Sequence, residues 1–237
     1  MQDSFASAPA ADQRGSSAVA DIRSAYLDAL LAGDAVRARH VVRRAADEGL
    51  SMASLYLDVL EPALEDVGLL WSAGDVNVAQ EHYATALTTG LMAELAVRWR
   101  QDPTSGRLAV VTCSPGERHQ LGARMISDFL EAAGWEVIAL GADTPARDLA
   151  LLVELERPDV LAVSTSMREH LDGVAATLAE VGRVQPRPFV IVGGRAWRDI
   201  GDERAGALGA DARVTDPRRL VALVAERFPA LADDPDE

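Results

Sequence analysis

A single cysteine, Cys113, stands in 237 residues, which excludes an internal disulfide framework. Its place at the end of an apolar run reads as a small core hydrophobe. Long apolar runs are missing too: none reaches the ~20 residues that span a bilayer, and Met1-Gln2-Asp3-Ser4-Phe5 lacks the charged-then-apolar pattern of a secretory leader. The expectation is a cytoplasmic protein with no membrane span. Positive charge is scarce as well. Lys plus Arg total 23 against 37 Asp plus Glu, a net charge of −14; such a surface repels a phosphate backbone and argues against direct DNA binding. The Arg-rich stretch from Arg37 to Arg44 reads as a solvated helix face. No internal repeat is present, and no low-complexity segment lies outside the termini.

What is present suffices for a substantial core: 49% of residues are hydrophobic, in a chain long enough for one or two domains. Residues 1–17, without sustained apolar periodicity, are expected to be a disordered tail. From there to about residue 102 the pattern is helical. Ile22, Tyr26, Leu27, Leu30 and Leu31 form one apolar stripe; Asp34 is placed to cap a second helix that stops at Gly49; Ser51 is placed to cap a third, with Pro62 as a kink or local irregularity. Asp75 is placed to cap a fourth, running from about Val76 to Arg100. Four helices with short connections predict a small four-helix bundle over 18–102.

After a linker at Pro103-Thr104-Ser105-Gly106 the pattern changes to strands near 107–113, 136–141, 159–165, 188–193 and 211–214, alternating with amphipathic segments. This predicts an α/β domain over 106–228 with a doubly wound parallel sheet, Rossmann-like or flavodoxin-like, in the order 2-1-3-4-5. Phe228-Pro229 ends the last helix, and residues 229–237 form an acidic tail.

The segment Glu117-Arg118-His119-Gln120-Leu121-Gly122 sits where the first strand hands over to a helix, at the end of the sheet where open α/β folds bind small molecules. One ring nitrogen of His119 is then available to a metal while Glu117 holds the other N–H, and Gly122 lets a bulky group lie against the backbone. A histidine in such a loop is also a common solvated or capping residue. Ser164 and Ser166 follow the third strand and Gly193-Gly194 end the fourth, both of them ordinary turn chemistry when taken singly.

Taken together, this carboxylate-x-His-x-x-Gly segment, Val163-Ser164-Thr165-Ser166-Met167 and Val190-Ile191-Val192-Gly193-Gly194 resemble the signature of cobalamin-binding domains over roughly residues 106–228. The resemblance implies His119 as the lower axial ligand to cobalt. It also implies a slot for the cofactor's displaced nucleotide tail beside Ser164 and the Gly193-Gly194 pair. Glu117 stands where that family most often has Asp, a mild departure because the longer carboxylate can make the same hydrogen bond.

In the helical half, Trp71 is followed ten and eleven residues later by Glu81 and His82, with Val78 one turn before His82 on the same helix face. By themselves these residues also fit a packed helix end and a polar patch between helices. The Trp-x9-Glu-His spacing resembles CarH-type cobalamin photoreceptors. That likeness implies adenosylcobalamin held between bundle and sheet domain under Trp71, a Glu81–His82 pair around the upper ligand, and light-dependent self-association. An indole supplies a flat apolar wall and the pair can hold ribose hydroxyls.

Two departures accompany the resemblance. The first helices already belong to the bundle, which leaves no room for the MerR-type DNA-binding domain of the best-known members, so output is expected through a downstream protein or enzyme partner or through self-association. Ser72 follows Trp71 where a histidine would serve as the ligand after illumination. The short form resembles photocobilins, which implies a bilin such as biliverdin as a second chromophore, held noncovalently because the bundle has no cysteine. The chain itself is not expected to be an enzyme. The competing reading is a corrinoid carrier protein of a methyltransferase system, which shares the His119 signature and generally lacks the Trp-x9-Glu-His cap.

Overall fold

The helical half folds as its apolar spacing dictates. The computed structural model describes residues 10–229 and divides the chain into two compact units, one up to Trp99 and one from Arg100 onward. In the first unit, α1 (Ala10–Leu31) packs against α2 (Ala35–Asp47) and against the later helices. Tyr26, Ala29 and Leu30 bury its stripe, and the buried Tyr26 hydroxyl meets the Thr88 hydroxyl at 2.8 Å. Burial pushes the Tyr26 phenol up to about 12, partly offset by that hydrogen bond, so it remains a neutral core group.

The Asp34 carboxylate accepts from the Arg37 amide at 2.9 Å and Gly49 turns the chain at φ +94°, as expected of cap and stop. Ser51 caps α3 (Met52–Ser54) by accepting from the Ser54 amide. The irregularity expected around Pro62 is a π-helical stretch over Leu55–Leu60 that runs without a break into α4 (Glu61–Ala73), directly ahead of Pro62, which has no N–H to donate to the preceding turn.

Two expectations for this half are corrected. Residues 10–17, assigned to a disordered tail, lie within α1, because weak local periodicity does not prevent a helix nucleated by the buried Tyr26 turn from extending toward the N-terminus; residues 1–9 of that stretch lie outside the described residues. Asp75 does not cap α5 (Val78–Trp99). Asn77 does, through a reciprocal box in which the Asn77 side chain accepts from the Gln80 amide and the Gln80 side chain accepts from the Asn77 amide.

The second unit is a five-stranded parallel sheet in the order β2-β1-β3-β4-β5, the order expected from sequence. The strands are β1 (Leu108–Cys113), β2 (Glu136–Gly141), β3 (Val160–Ser164), β4 (Phe189–Gly193) and β5 (Ala212–Val214). One face carries α7 (Ala146–Glu156), α8 (Leu171–Val181) and α9 (Asp202–Ala207) over a core with Val110, Leu161, Val192 and Trp197. The other carries α6 (Leu121–Ala132) and α10 (Pro217–Arg227) over Val111, Ala162, Ile191 and Leu220. The central strands β1 and β3 are almost wholly buried, the apolar run that a parallel sheet covered on both faces requires. Residues 230–237, the rest of the acidic tail, lie outside the described residues. Among the described residues no helix is long and apolar enough to cross a membrane.

Gly193 and Gly194 close this sheet. A Cβ on Gly193 would fall inside contact distance of the Val214 carbonyl oxygen, and Gly194, at φ +99°, presses the same way on the Thr165 carbonyl. Gly193→Ala and Gly194→Ala are therefore each expected to lower the unfolding free energy by roughly 2 kcal/mol or more, the range of substitutions that meet backbone they cannot move. Urea titration at neutral pH checks this, and a wild-type midpoint for either variant would contradict it.

Candidate functional site

The site at the carboxyl end of the sheet is built on Glu117. Its side chain has no solvent exposure, although it lies in a loop four residues past β1. One oxygen accepts from the His119 amide at 2.8 Å and lies 2.6 Å from His119 Nδ1; the other accepts from the Ser166 and Met167 amides at 2.8 and 2.9 Å. One carboxylate thus joins the loop after β1 to the loop after β3. Burial pushes its pKa up, but the backbone N–H groups of His119 and Met167, the His119 ring and the Ser166 N–H together outweigh burial, and the net shift is downward. Glu117 is a buried, ionised acceptor.

An ionised carboxylate only accepts, so in the neutral imidazole of His119 the proton belongs on Nδ1 and the lone pair on Nε2. The His119 side chain is 57% exposed, which presents that nitrogen outward as a single well-oriented ligand position. Arg118 beside it is exposed. Behind the pair, Cys113 is buried; burial and the Glu117 charge push its thiol up to about 12. It stays protonated and chemically quiet, the small core residue expected from sequence.

Gly122 lies where the motif requires closeness: a Cβ there would come within 3.4 Å of the Ser164 hydroxyl, so α6 and the end of β3 approach across the face carrying the expected slot. Ser164 is buried. Ser166 contributes through its backbone N–H to Glu117, a role its side chain type did not signal. At the Gly193-Gly194 pair an added Cβ would meet the carbonyls of Val214 and Thr165, so both glycines also meet a backbone-packing requirement at the end of β4.

Sequence reasoning missed several supports. Asp143, at φ +51°, accepts from the Gly116 amide at 2.6 Å and donates its own N–H to the Glu117 carbonyl at 3.0 Å. Thr165 donates to the Ser114 hydroxyl at 3.1 Å, both buried. His170 abuts Gly116: a Cβ there would lie 2.9 Å from His170 Nδ1. No local pattern marks these residues, because each meets its partner across 26 to 54 residues of chain.

In the helical unit, Trp71 lies in the last turn of α4 and Val78 opens α5; each is 51% exposed. Glu81 lies 2.6 Å from His82 Nδ1 through one oxygen and accepts from the Thr85 hydroxyl at 2.9 Å through the other. His82 is exposed. The alternative that buries Trp71 in the core is corrected: the indole is half open. The Ser72 hydroxyl donates to the Gly68 carbonyl at 3.1 Å.

Two family models match the chain. Residues 107–223 match the B12 binding domain, and residues 22–96 match a second model of the same description. With the fold and the His119 geometry, these matches make the chain a cobalamin-binding protein. It is 33% identical over 143 residues to the HTH-type transcriptional repressor CarH of Myxococcus xanthus, covering 60% of this chain and 47% of that protein, so the match spans about half the repressor's length. It is 28% identical over 176 residues to dimethylamine corrinoid protein 3 of Methanosarcina acetivorans, covering 70% of this chain and 78% of that one. The monomethylamine corrinoid protein of Methanosarcina barkeri has the same fold: TM-score 0.76, 17% identity, 88% of this chain and 99% of that one.

Proposed function

We propose that this chain is a cobalamin-dependent light sensor. In this reading His119 Nε2 would hold the cobalt of adenosylcobalamin, and Trp71, Val78, Glu81 and His82 would attend its adenosyl group. The observation that carries the reading is the half-exposed indole of Trp71 on a helical unit that also holds a hydrogen-bonded Glu81–His82–Thr85 set. An apolar wall and a carboxylate–imidazole pair are suited to an adenine ring and ribose hydroxyls. The similarity to a CarH repressor supports the same reading.

The donor set fits the cofactor. One imidazole with its Nδ1 proton held by a buried carboxylate suits a metal that arrives with its other ligands in place. Ser164 and Gly122 border the tail's slot, and Arg118 stands at its rim. Bound adenosylcobalamin supplies a cobalt–carbon bond that visible light breaks. Glu117 would keep the imidazole in one tautomer, and Trp71 would supply an apolar wall to the adenosyl group. The Ser72 hydroxyl is committed to the Gly68 carbonyl, so of the residues assigned to the adenosyl side only His82 would bring an imidazole. Output would run through self-association or a downstream protein partner.

The test is reconstitution with adenosylcobalamin in darkness, with absorption spectrum and elution volume recorded before and after green light. A spectral change accompanied by a change in size is expected. Strong absorption in the red from the purified protein would add a noncovalent bilin such as biliverdin. Trp71→Ala is expected to speed adenosine loss and alter light-driven assembly, yet to lower the unfolding free energy by only about 1–2 kcal/mol, less than the roughly 3–5 kcal/mol of a fully buried tryptophan, because the indole is half exposed. Wild-type light behaviour in that variant would remove Trp71 from the site.

A second reading has its own support. The likeness to dimethylamine corrinoid protein 3 covers more of both chains than the likeness to CarH, which favours a corrinoid carrier of a methyltransferase system. A spectrum and elution volume unchanged by green light would select the carrier.

A further inference from the structure

The loop after β2 is fastened to the loop that carries His119. The register between β1 and β2 shifts between Val111 and Thr112, so that Thr112 pairs with Gly141 and Leu140 is passed over; an irregularity of this kind re-aims the chain that follows it. Beyond it, the Thr144 hydroxyl lies 2.7 Å from that of the buried Thr112. Gly141, at φ +77°, makes room for the Gln120 side chain, since a Cβ there would come within 2.9 Å of Gln120 Oε1. Asp143 makes the tightest connection of the three.

Ser114-Pro115-Gly116-Glu117 is a tight turn. The Glu117 amide donates to the Ser114 carbonyl at 3.0 Å, and Gly116 stands at φ +81°, the conformation that the third position of a Pro-Gly type II turn requires. Such a turn uses the amide of its fourth residue and leaves that of its third unpaired. The Asp143 carboxylate accepts from this Gly116 amide at 2.6 Å, and the Asp143 amide donates to the Glu117 carbonyl at 3.0 Å. Asp143 thereby grips two consecutive residues of the turn. It does so at φ +51°, a left-handed conformation that Asp adopts when its short side chain bonds nearby backbone and that persists where the surroundings over-determine it.

We propose, on the reading in which His119 holds cobalt, that Asp143 is a positioning residue for that imidazole. By holding Gly116 and Glu117 it helps to set where the Glu117 carboxylate stands, and through the 2.6 Å contact from Glu117 to Nδ1 it directs His119 Nε2 before a corrinoid arrives. Asp143 and Gly116 are both exposed, so water can take over this hydrogen bond with little loss of folding stability. Water does not restore the orientation of the turn. A ligand position that is already oriented loses less freedom on binding, so Asp143 acts on cofactor affinity more than on the fold.

The test is Asp143→Gly, which permits the same backbone conformation and removes the acceptor. Cobalamin affinity is expected to fall about three- to tenfold, at or below the lower end of what groups one step removed from a metal contribute. Part of the bound cofactor should show the absorption of the form ligated by its own base. In the cofactor-free protein, hydrogen exchange at the His119 amide, a group that Asp143 does not touch, should quicken several-fold while the urea midpoint stays close to wild type. Asp143→Asn, which keeps an acceptor oxygen and tolerates the same φ, should restore most of the affinity and the histidine-ligated spectrum. Wild-type affinity and spectrum in Asp143→Gly, unchanged exchange at His119, or equal losses in the Gly and Asn variants would overturn the proposal. His119→Ala measured alongside separates the two readings: if it leaves affinity and spectrum unchanged, the cobalt-ligand assignment fails and the positioning role with it. If it alters them and Asp143→Gly does not, only the positioning role fails.

Discussion

Glu117→Ala is expected to lower the unfolding free energy by about 3–5 kcal/mol, the cost of leaving the partners of a buried charge unpaired. Three backbone N–H groups and the His119 ring lose their acceptor at once, in a position with no access to water. Glu117→Gln is informative beside it. A glutamine keeps the volume but turns one oxygen into an NH2 that must face either the His119 pair or the Ser166 and Met167 amides, so a smaller but clear loss is expected. Glu117→Asp tests length: a side chain shorter by one methylene can serve His119 or the β3 loop, but reaching both requires a loop to move. Equilibrium urea unfolding measures all three, and a Glu117→Ala midpoint equal to wild type would show that the four hydrogen bonds do not act together.

The same carboxylate sets an acid dependence. Its folded pKa lies below the ordinary 4.5, so its contribution is fully present above that unfolded value and is lost as pH falls through the folded one. The wild type is therefore expected to lose stability on acidification from pH 5 toward pH 3 more steeply than Glu117→Gln, which has no proton to take up at that position. Parallel profiles would assign the acid loss to other groups.

His119→Ala has a different signature. The imidazole is mostly exposed but gives buried Glu117 one of its four hydrogen bonds, so unfolding free energy should fall by about 1–2 kcal/mol, less than for Glu117→Ala, whereas cobalamin affinity should fall roughly tenfold or more, since even groups one step removed from a metal are worth 10–100-fold. Any cofactor that remains should show the absorption of the form ligated by its own base. Separate stability and binding measurements distinguish this residue from Glu117, whose loss should lower stability further. Unchanged affinity and spectrum would remove His119 as the axial ligand.

The sheet and its order were legible because β1 and β3 are near-continuous apolar runs and each helix between strands has one buried face. The Asp34 and Ser51 caps were legible because such caps act across three residues. The start of α1 was not, because a helix extends from a packed turn into sequence that would not nucleate it. The α5 cap was misassigned because Asp75 and Asn77 are both good capping residues two positions apart, and only the partner Gln80 decides between them.

At the site, the Glu117–His119 bond was readable as a two-residue spacing, since local geometry alone brings the carboxylate to Nδ1. The amides of Ser166 and Met167 at its other oxygen, Asp143 on Gly116, and His170 against the same turn were not readable. They depend on where parallel strands end relative to one another, which is a property of sheet register.

The amino-acid sequence alone determined the two-part organisation, the parallel sheet and the single imidazole set at a strand's carboxyl end, because periodicity, caps and short motifs act over a few residues. Only the tertiary structure decided that Glu117 is buried and shared between two loops, that Gly193 and Gly194 serve backbone packing, and that Trp71 is half open. Burial and long-range hydrogen bonding arise when distant segments meet, and no local pattern carries that information.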